Sequence, residues 1–201
     1  MQLGHAAEAD ARWRIYAFAG KAASSTPGSA IHRLADWLET NAQSPVVKHT
    51  REGEDIDAII DVRAVFQQTF DQLAYEHMPS LLKPRTGQLG LQDHEKIFCV
   101  DHKGAGDIYD MRGIDREKGC LIVVRPDQYI ANVLPLDGFE KLSAFFAGVL
   151  VAAQNYWLGG AALLLGLRSL GSMARYRTAR QIVGLSTAPF VLALLVVWPL
   201  R

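Results

Sequence analysis

The stretch from Gly119 to Pro135, GCLIVVRPDQYIANVLP, limits the choice of fold more than any other part of the chain. Cys120 to Val124 is an unbroken apolar run rich in β-branched side chains, the pattern of a strand covered on both faces. Pro126 has no backbone N–H and Asp127 favours turns, so the strand breaks at Pro126–Gln128. Tyr129 to Leu134 is apolar again, and the chain doubles back as a hairpin. Asp137-Gly138-Phe139-Glu140 then reads as a capping box, whose Asp and Glu satisfy the first free amides of a helix. Phe139, Leu142, Phe145, Phe146, Val149 and Leu150 follow at helical spacing. Strand, turn, strand and capped helix form the end of an α/β domain.

The preceding residues supply the rest of that domain. The opening twelve read as an extended arm, and Trp13 to Ala19 as an aromatic-rich strand. A helix is predicted over Ala30–Thr40, with Ile31, Leu34, Ala35 and Leu38 on one face; Ser29, or Thr26 ahead of Pro27, caps it. In Ala58–Phe66, Ile60, Val62, Ala64 and Phe66 alternate with Asp61, Arg63 and Val65, the period of a strand with one buried face. Gln67 to Gly90 is loop-rich, and Lys96–Asp101 is a short strand. The order β, α, β, loop, β, β, β, α suits an α/β, thioredoxin-like mixed sheet with flanking helices. Fold alone delivers no active site.

Charge divides the chain. Residues 1–140 hold all 21 Asp and Glu against 15 Lys and Arg, whereas residues 141–201 hold six basic residues and no acid. The division expected is an arm (1–12), a domain (13–152) and a hydrophobic, arginine-containing helical tail (153–201). Phe145–Leu167 and Ile182–Leu200 carry no charge, and each is long enough to span about 28–35 Å as a helix. The second is the better spanning candidate, with Arg168, Arg175, Arg177 and Arg180 ahead of it and Trp198 as an interfacial aromatic. Two readings of the tail stay open: a membrane association through 182–200, or sequence appended past the natural end of the domain. The polar start, with Glu8 and Asp10, does not resemble a signal peptide, so the expected location is cytoplasmic.

Residues able to carry chemistry are sparse. Gly104-Ala105-Gly106-Asp107 lacks the third glycine of a dinucleotide fingerprint, with no clear helix after it, and reads as a turn. His94, Cys99, Asp101 and His102 are close in sequence but lack a tight zinc spacing. Glu54, Asp55 and Asp57 sit in an acidic loop and read as a solvated face. Cys99 and Cys120 lie in apolar runs without a CxxC, as buried reduced thiols do. No Gly-x-Ser-x-Gly elbow is present, and an acidic domain argues against nucleic acid as a partner. No catalytic, cofactor-binding or metal-binding residue is assigned.

Four blocks carry a resemblance: LGHAAEADARWRIYAF, HMPSLLKPRTG, KIFCVDHKGAGDIYDMRGID, and GCLIVVRPDQYIANVLPLDGFEKLSAFFAGVL. Together, from about Leu3 to Leu150, they resemble the C-terminal domain of FAD-dependent aromatic hydroxylases of the phenol 2-monooxygenase type. The VVRPD segment and the arginine inside the first strand are the most specific parts. Gln128 departs from the pattern, where the family often has glycine, which implies a tighter or strained turn. The resemblance implies a thioredoxin-like domain without redox cysteines that contributes to dimer contacts. It also implies that FAD, NADPH and the phenol site belong to a larger preceding domain or to a separate flavin subunit. On that footing the chain is an accessory assembly domain, a subunit completing a hydroxylase in trans, or a membrane-tethered interaction module.

Overall fold

The structure, a computed structural model, describes residues 3–8, 10–21, 26–100 and 106–150. By internal contacts the chain divides into residues 1–143 and 144–201. Of the two uncharged stretches, residues 151–167 of the first and all of the second, the spanning candidate 182–200, lie outside the described residues. Among the described residues no helix is long and apolar enough to cross a membrane.

A five-stranded mixed sheet organises the first unit. Its strands are β1 (Trp13–Phe18), β2 (Ile60–Phe66), β5 (Ile97–Cys99), β6 (Cys120–Val124) and β7 (Ile130–Leu134), in the spatial order β5-β2-β1-β6-β7. β5, β2 and β1 run parallel, while β6 is antiparallel to both β1 and β7. Two-residue strands β3 (Arg85–Thr86) and β4 (Leu91–Gln92) form a separate small hairpin. Residues 67–90, expected as loop, also hold short 3-10 turns at Phe70–Gln72, Tyr75–His77 and Ser80–Leu82.

The parallel pairing of β1 with β2 requires a crossover, and α1 (Ala30–Thr40) provides it. Ser29 is the N-cap, its hydroxyl accepting the His32 N–H, which resolves the choice against Thr26. Ile31, Leu34, Ala35 and Leu38 are buried and meet Ala17, Val62, Ala64, Leu81 and Leu82, which places α1 on one face of the sheet. Each such leucine removed from water contributes about 1.5–3 kcal/mol. A second short helix, α2 (Pro45–His49), starts on Ser44, whose hydroxyl also donates to the Leu38 carbonyl at 2.6 Å and so closes α1 onto α2.

The opposite face is covered as well. Tyr16, Phe18, Val65, Val100 and Tyr109 form a buried cluster against which Leu3, Ile108 and Ile114 pack. Tyr109 belongs to α3 (Ile108–Arg112), a helix the sequence reading did not anticipate after Gly104–Asp107. Its hydroxyl lies 2.9 Å from the carbonyls of both Ala19 and Val65, and its ring meets Phe18 edge-on. The expected one-sided β2 is therefore corrected: all seven of its residues are buried.

The β6–β7 hairpin turns where predicted. Gln128 N–H donates to the Arg125 carbonyl and Arg125 N–H to the Tyr129 carbonyl, closing a three-residue loop. Gln128 sits at φ 69°, the left-handed region, so the departure at this position is a strained backbone. Gln128→Gly is expected to raise stability by about 1 kcal/mol, read as a higher denaturation midpoint. Past the hairpin, residues 139–150 are helical (α4). Gly138, rather than Asp137, is the cap residue, its carbonyl accepting the Leu142 N–H at 2.9 Å. Phe139 stacks on Trp37 of α1 with 5.0 Å between ring centroids.

Candidate functional site

The residues singled out for chemistry do not converge. His94 Nδ1 is 2.8 Å from the Tyr75 hydroxyl, and Cys99 is a half-buried free thiol on β5. Asp101 and His102 lie outside the described residues, and among those described no group of three His, Cys, Asp or Glu side chains is placed to hold a metal ion. Burial pushes the Cys99 and Cys120 thiols up, away from the reactive thiolate. Asp107 caps α3 by accepting the Tyr109 N–H at 2.8 Å and pairs with Arg116 at 2.6 Å. An anionic side chain already holds that helix start, and the helix is only five residues long.

The charged residues that do converge were read differently in the sequence. Strand register places Arg14 beside Asp61 and Tyr16 beside Arg63, all on the face opposite α1. Lys96, just ahead of β5, reaches the same spot: its Nζ is 2.5 Å from Asp57 and 2.6 Å from Asp61, with Asp93 at 3.3 Å. Arg63 holds Asp61 at 2.8 Å. The arm closes the cluster from above. Asp10 takes Arg12 and Arg14, each at 2.7 Å, and Arg12 reaches Asp57 at 2.9 Å. Arg63 and Arg14 also donate to the backbone carbonyls of Ala6 and Glu8, at 2.6 and 3.0 Å. Arg14 and Lys96 are each only 1% exposed. Asp57, expected on a solvated acidic loop, is buried, while Glu54 and Asp55 are exposed.

Four cations (Arg12, Arg14, Arg63 and Lys96) meet four carboxylates (Asp10, Asp57, Asp61 and Asp93), so the cluster is neutral as a unit. Burial works against the Asp61 carboxylate, but Lys96 outweighs it, with Arg63 and Arg12, and its pKa falls below the ordinary value. Asp10, likewise opposed by burial, is held down to about 2 by hydrogen bonds from Arg12 and the charges of Arg12 and Arg14. Burial opposes the Lys96 charge too, and Asp61 and Asp57 outweigh it, raising its pKa. General acid–base work at neutral pH calls for the reverse, a carboxyl raised or an amine lowered toward 7. These groups stay charged and bind the arm to the sheet.

The sign of the pH dependence follows. A carboxylate with a depressed folded pKa stabilises above its unfolded value, and that stability is lost as pH falls through the folded value. Acidification from about pH 5 to pH 2 is thus expected to remove on the order of 2 kcal/mol through Asp10 alone. Denaturant titrations across that range measure it, and Asp10→Asn should flatten the slope.

Large apolar side chains are exposed at several places, Phe70, Leu89, Leu91 and Met111 among them, and one such place is a continuous strip of the sheet. On the face opposite α1, β6 leaves Ile122 and Val124 half-buried, and β7 leaves Ile130 62% and Val133 57% exposed.

The sequence profile of the phenol hydroxylase C-terminal dimerisation domain matches residues 1–154. The chain belongs to this family. Among curated relatives it is 52% identical over 147 residues to the 3-hydroxybenzoate 4-monooxygenase of Comamonas testosteroni, covering 73% of this chain and 23% of that protein. It is 35% identical over 149 residues to the FAD-dependent monooxygenase terD of Aspergillus terreus (73% of this chain, 24% of that one). With the phenol 2-monooxygenase fsqG of Aspergillus fumigatus it shares 24% identity over 157 residues (74% and 24%). The chain thus spans about a quarter of the length of the relatives it matches. The block LGHAAEADARWRIYAF, read in the sequence as part of the family pattern, supplies Asp10, Arg12 and Arg14 of the ionic cluster. Within this dimerisation domain the cluster ties the arm to the sheet.

Proposed function

We propose that this chain is an assembly domain that brings copies of itself together in the service of FAD-dependent aromatic hydroxylation, and that it performs no oxygen chemistry itself. The match of residues 1–154 to a C-terminal dimerisation domain carries this reading. In it, FAD, NADPH and the aromatic substrate belong to a flavin-bearing segment, on this polypeptide or a partner, because hydroxylation with O₂ is the chemistry of a reduced flavin. The glycine turn of the described residues does not fit a flavin phosphate, which supports the division. The Gly106–Asp107 turn leads into a helix whose first amides are taken by a carboxylate, which repels a dinucleotide phosphate instead of cradling it. The mixed sheet, with a parallel β1-α1-β2 crossover and an antiparallel β6–β7 hairpin before α4, supports a thioredoxin-like reading of the fold.

The test is direct. The purified 201-residue chain incubated with FAD and desalted should retain no flavin absorbance, and should not oxidise NADPH in the presence of 3-hydroxybenzoate or phenol. Stoichiometric retained flavin with turnover would refute an assembly role.

A further inference from the structure

We infer that two copies of this chain meet through the sheet face formed by β6 and β7, with Ile122, Val124, Ile130 and Val133 at the centre of the contact. This placement rests on the self-association proposed above and specifies its surface.

The register lays out two rows across the sheet. One runs Tyr16, Ile122, Val133, and the other Arg14, Val124, Ile130. Along each row exposure rises outward: Tyr16 and Arg14 are buried, Ile122 and Val124 half-buried, Val133 and Ile130 exposed. The inner part of this face is already covered, by Leu3 of the arm and by Ile108 and Ile114 around α3. Among the described strands of the sheet, β7 is the one that leaves apolar side chains of this face, Ile130 and Val133, open to solvent.

The manner of contact follows from the backbone of β7. Its pairing with β6 shifts register between Val123 and Val124, passing over Ala131 as a bulge. The Val133 N–H donates to the Asn132 side chain at 2.9 Å and is not free for another strand. A bulge and an occupied amide both blunt an edge against strand addition. Association therefore uses the side-chain face rather than the edge.

Charge narrows the occupant, and the match to a dimerisation domain names a second copy. Neither CLIVV of β6 nor IANVL of β7 contains a charged residue, and at the hairpin tip Arg125 pairs with Asp127 of its own chain. A two-fold contact sets the same patch against itself, and an uncharged patch does so without like-charge repulsion. A strongly acidic or basic partner would find no complementary charge here. A second copy fits these conditions.

Sedimentation velocity on the full chain over a concentration series tests the placement, comparing wild type, the Ile130→Asp/Val133→Asp double variant, and Phe70→Asp as an exposed control elsewhere. The double variant should weaken dimerisation at least about 100-fold, with the control unchanged. Circular dichroism and thermal midpoint check that the fold persists. Should the double variant unfold, hydrogen exchange of the wild type decides instead: amides across 120–134 should gain protection as concentration rises. A double variant that dimerises as wild type does, or concentration-dependent protection confined to other segments, overturns the placement while leaving self-association intact. A wild type that is monomeric at every concentration overturns both.

Discussion

Lys96→Met is expected to destabilise the domain by about 3–5 kcal/mol, the cost of removing one partner from a buried ion pair. The ammonium lies within 2.6 Å of both Asp57 and Asp61, and Asp61 is fully buried. Without Lys96, two carboxylates face each other with the methionine between them, and Arg12 and Arg63 cover only part of the deficit. Urea denaturation gives the number. A second readout separates lost charge from lost packing: the destabilisation should shrink as pH falls, because protonating Asp61 relieves the unpaired burial. Asp61→Asn placed on Lys96→Met should recover part of the loss, a coupling that a pure packing defect would not produce.

Gly119→Ala should be comparably damaging for a different reason. Gly119 sits at φ +65°, and a Cβ there would lie 2.1 Å from the Phe18 carbonyl oxygen and 2.9 Å from both Gly20 N and Leu136 Cδ1. The left-handed conformation costs an alanine about 1–2 kcal/mol. The clash is with backbone at the end of β1, where β6 begins its antiparallel pairing, so relief requires moving one of two central strands. A total loss of more than about 3 kcal/mol is expected, seen as insoluble expression or a sharply lower denaturation midpoint. Gly113→Ala provides the contrast. Gly113 ends α3 at φ +62° with open space around its Cα, so only the conformational cost of about 1 kcal/mol applies.

Local chemistry made part of this fold legible. The 3.6-residue spacing of Ile31, Leu34, Ala35 and Leu38 with Ser29 as cap describes α1 as it stands, and the apolar run ended by Pro126 places β6, but one face of that strand is half-buried rather than covered as expected. The ionic cluster was not legible, because period-2 alternation reports only that two faces of a strand differ. In β2 the face bearing Asp61 and Arg63 looked solvated, but the arm folds over it through Arg63 to Ala6 and Arg14 to Glu8, contacts far apart in sequence or hidden in an irregular segment. One signal was available: Arg14 sits within an otherwise apolar strand, and Asp61, Arg63 and Lys96 supply charges of both signs within β2 and just ahead of β5. α3 escaped notice because five residues carry too little periodicity, and its position depends on Tyr109 reaching the carbonyls of Ala19 and Val65. The apolar strip on β6–β7 was visible as sequence, yet its exposure on one side required knowing that the arm and α3 stop short of it.

A self-associating assembly domain must form dimers from this chain alone. Light scattering coupled to size exclusion on the 201-residue chain measures this without a partner or cofactor. A mass twice the 22.1 kDa of one chain, falling toward the single-chain value on dilution, is the predicted result. A mass of one chain at every concentration loaded would contradict it.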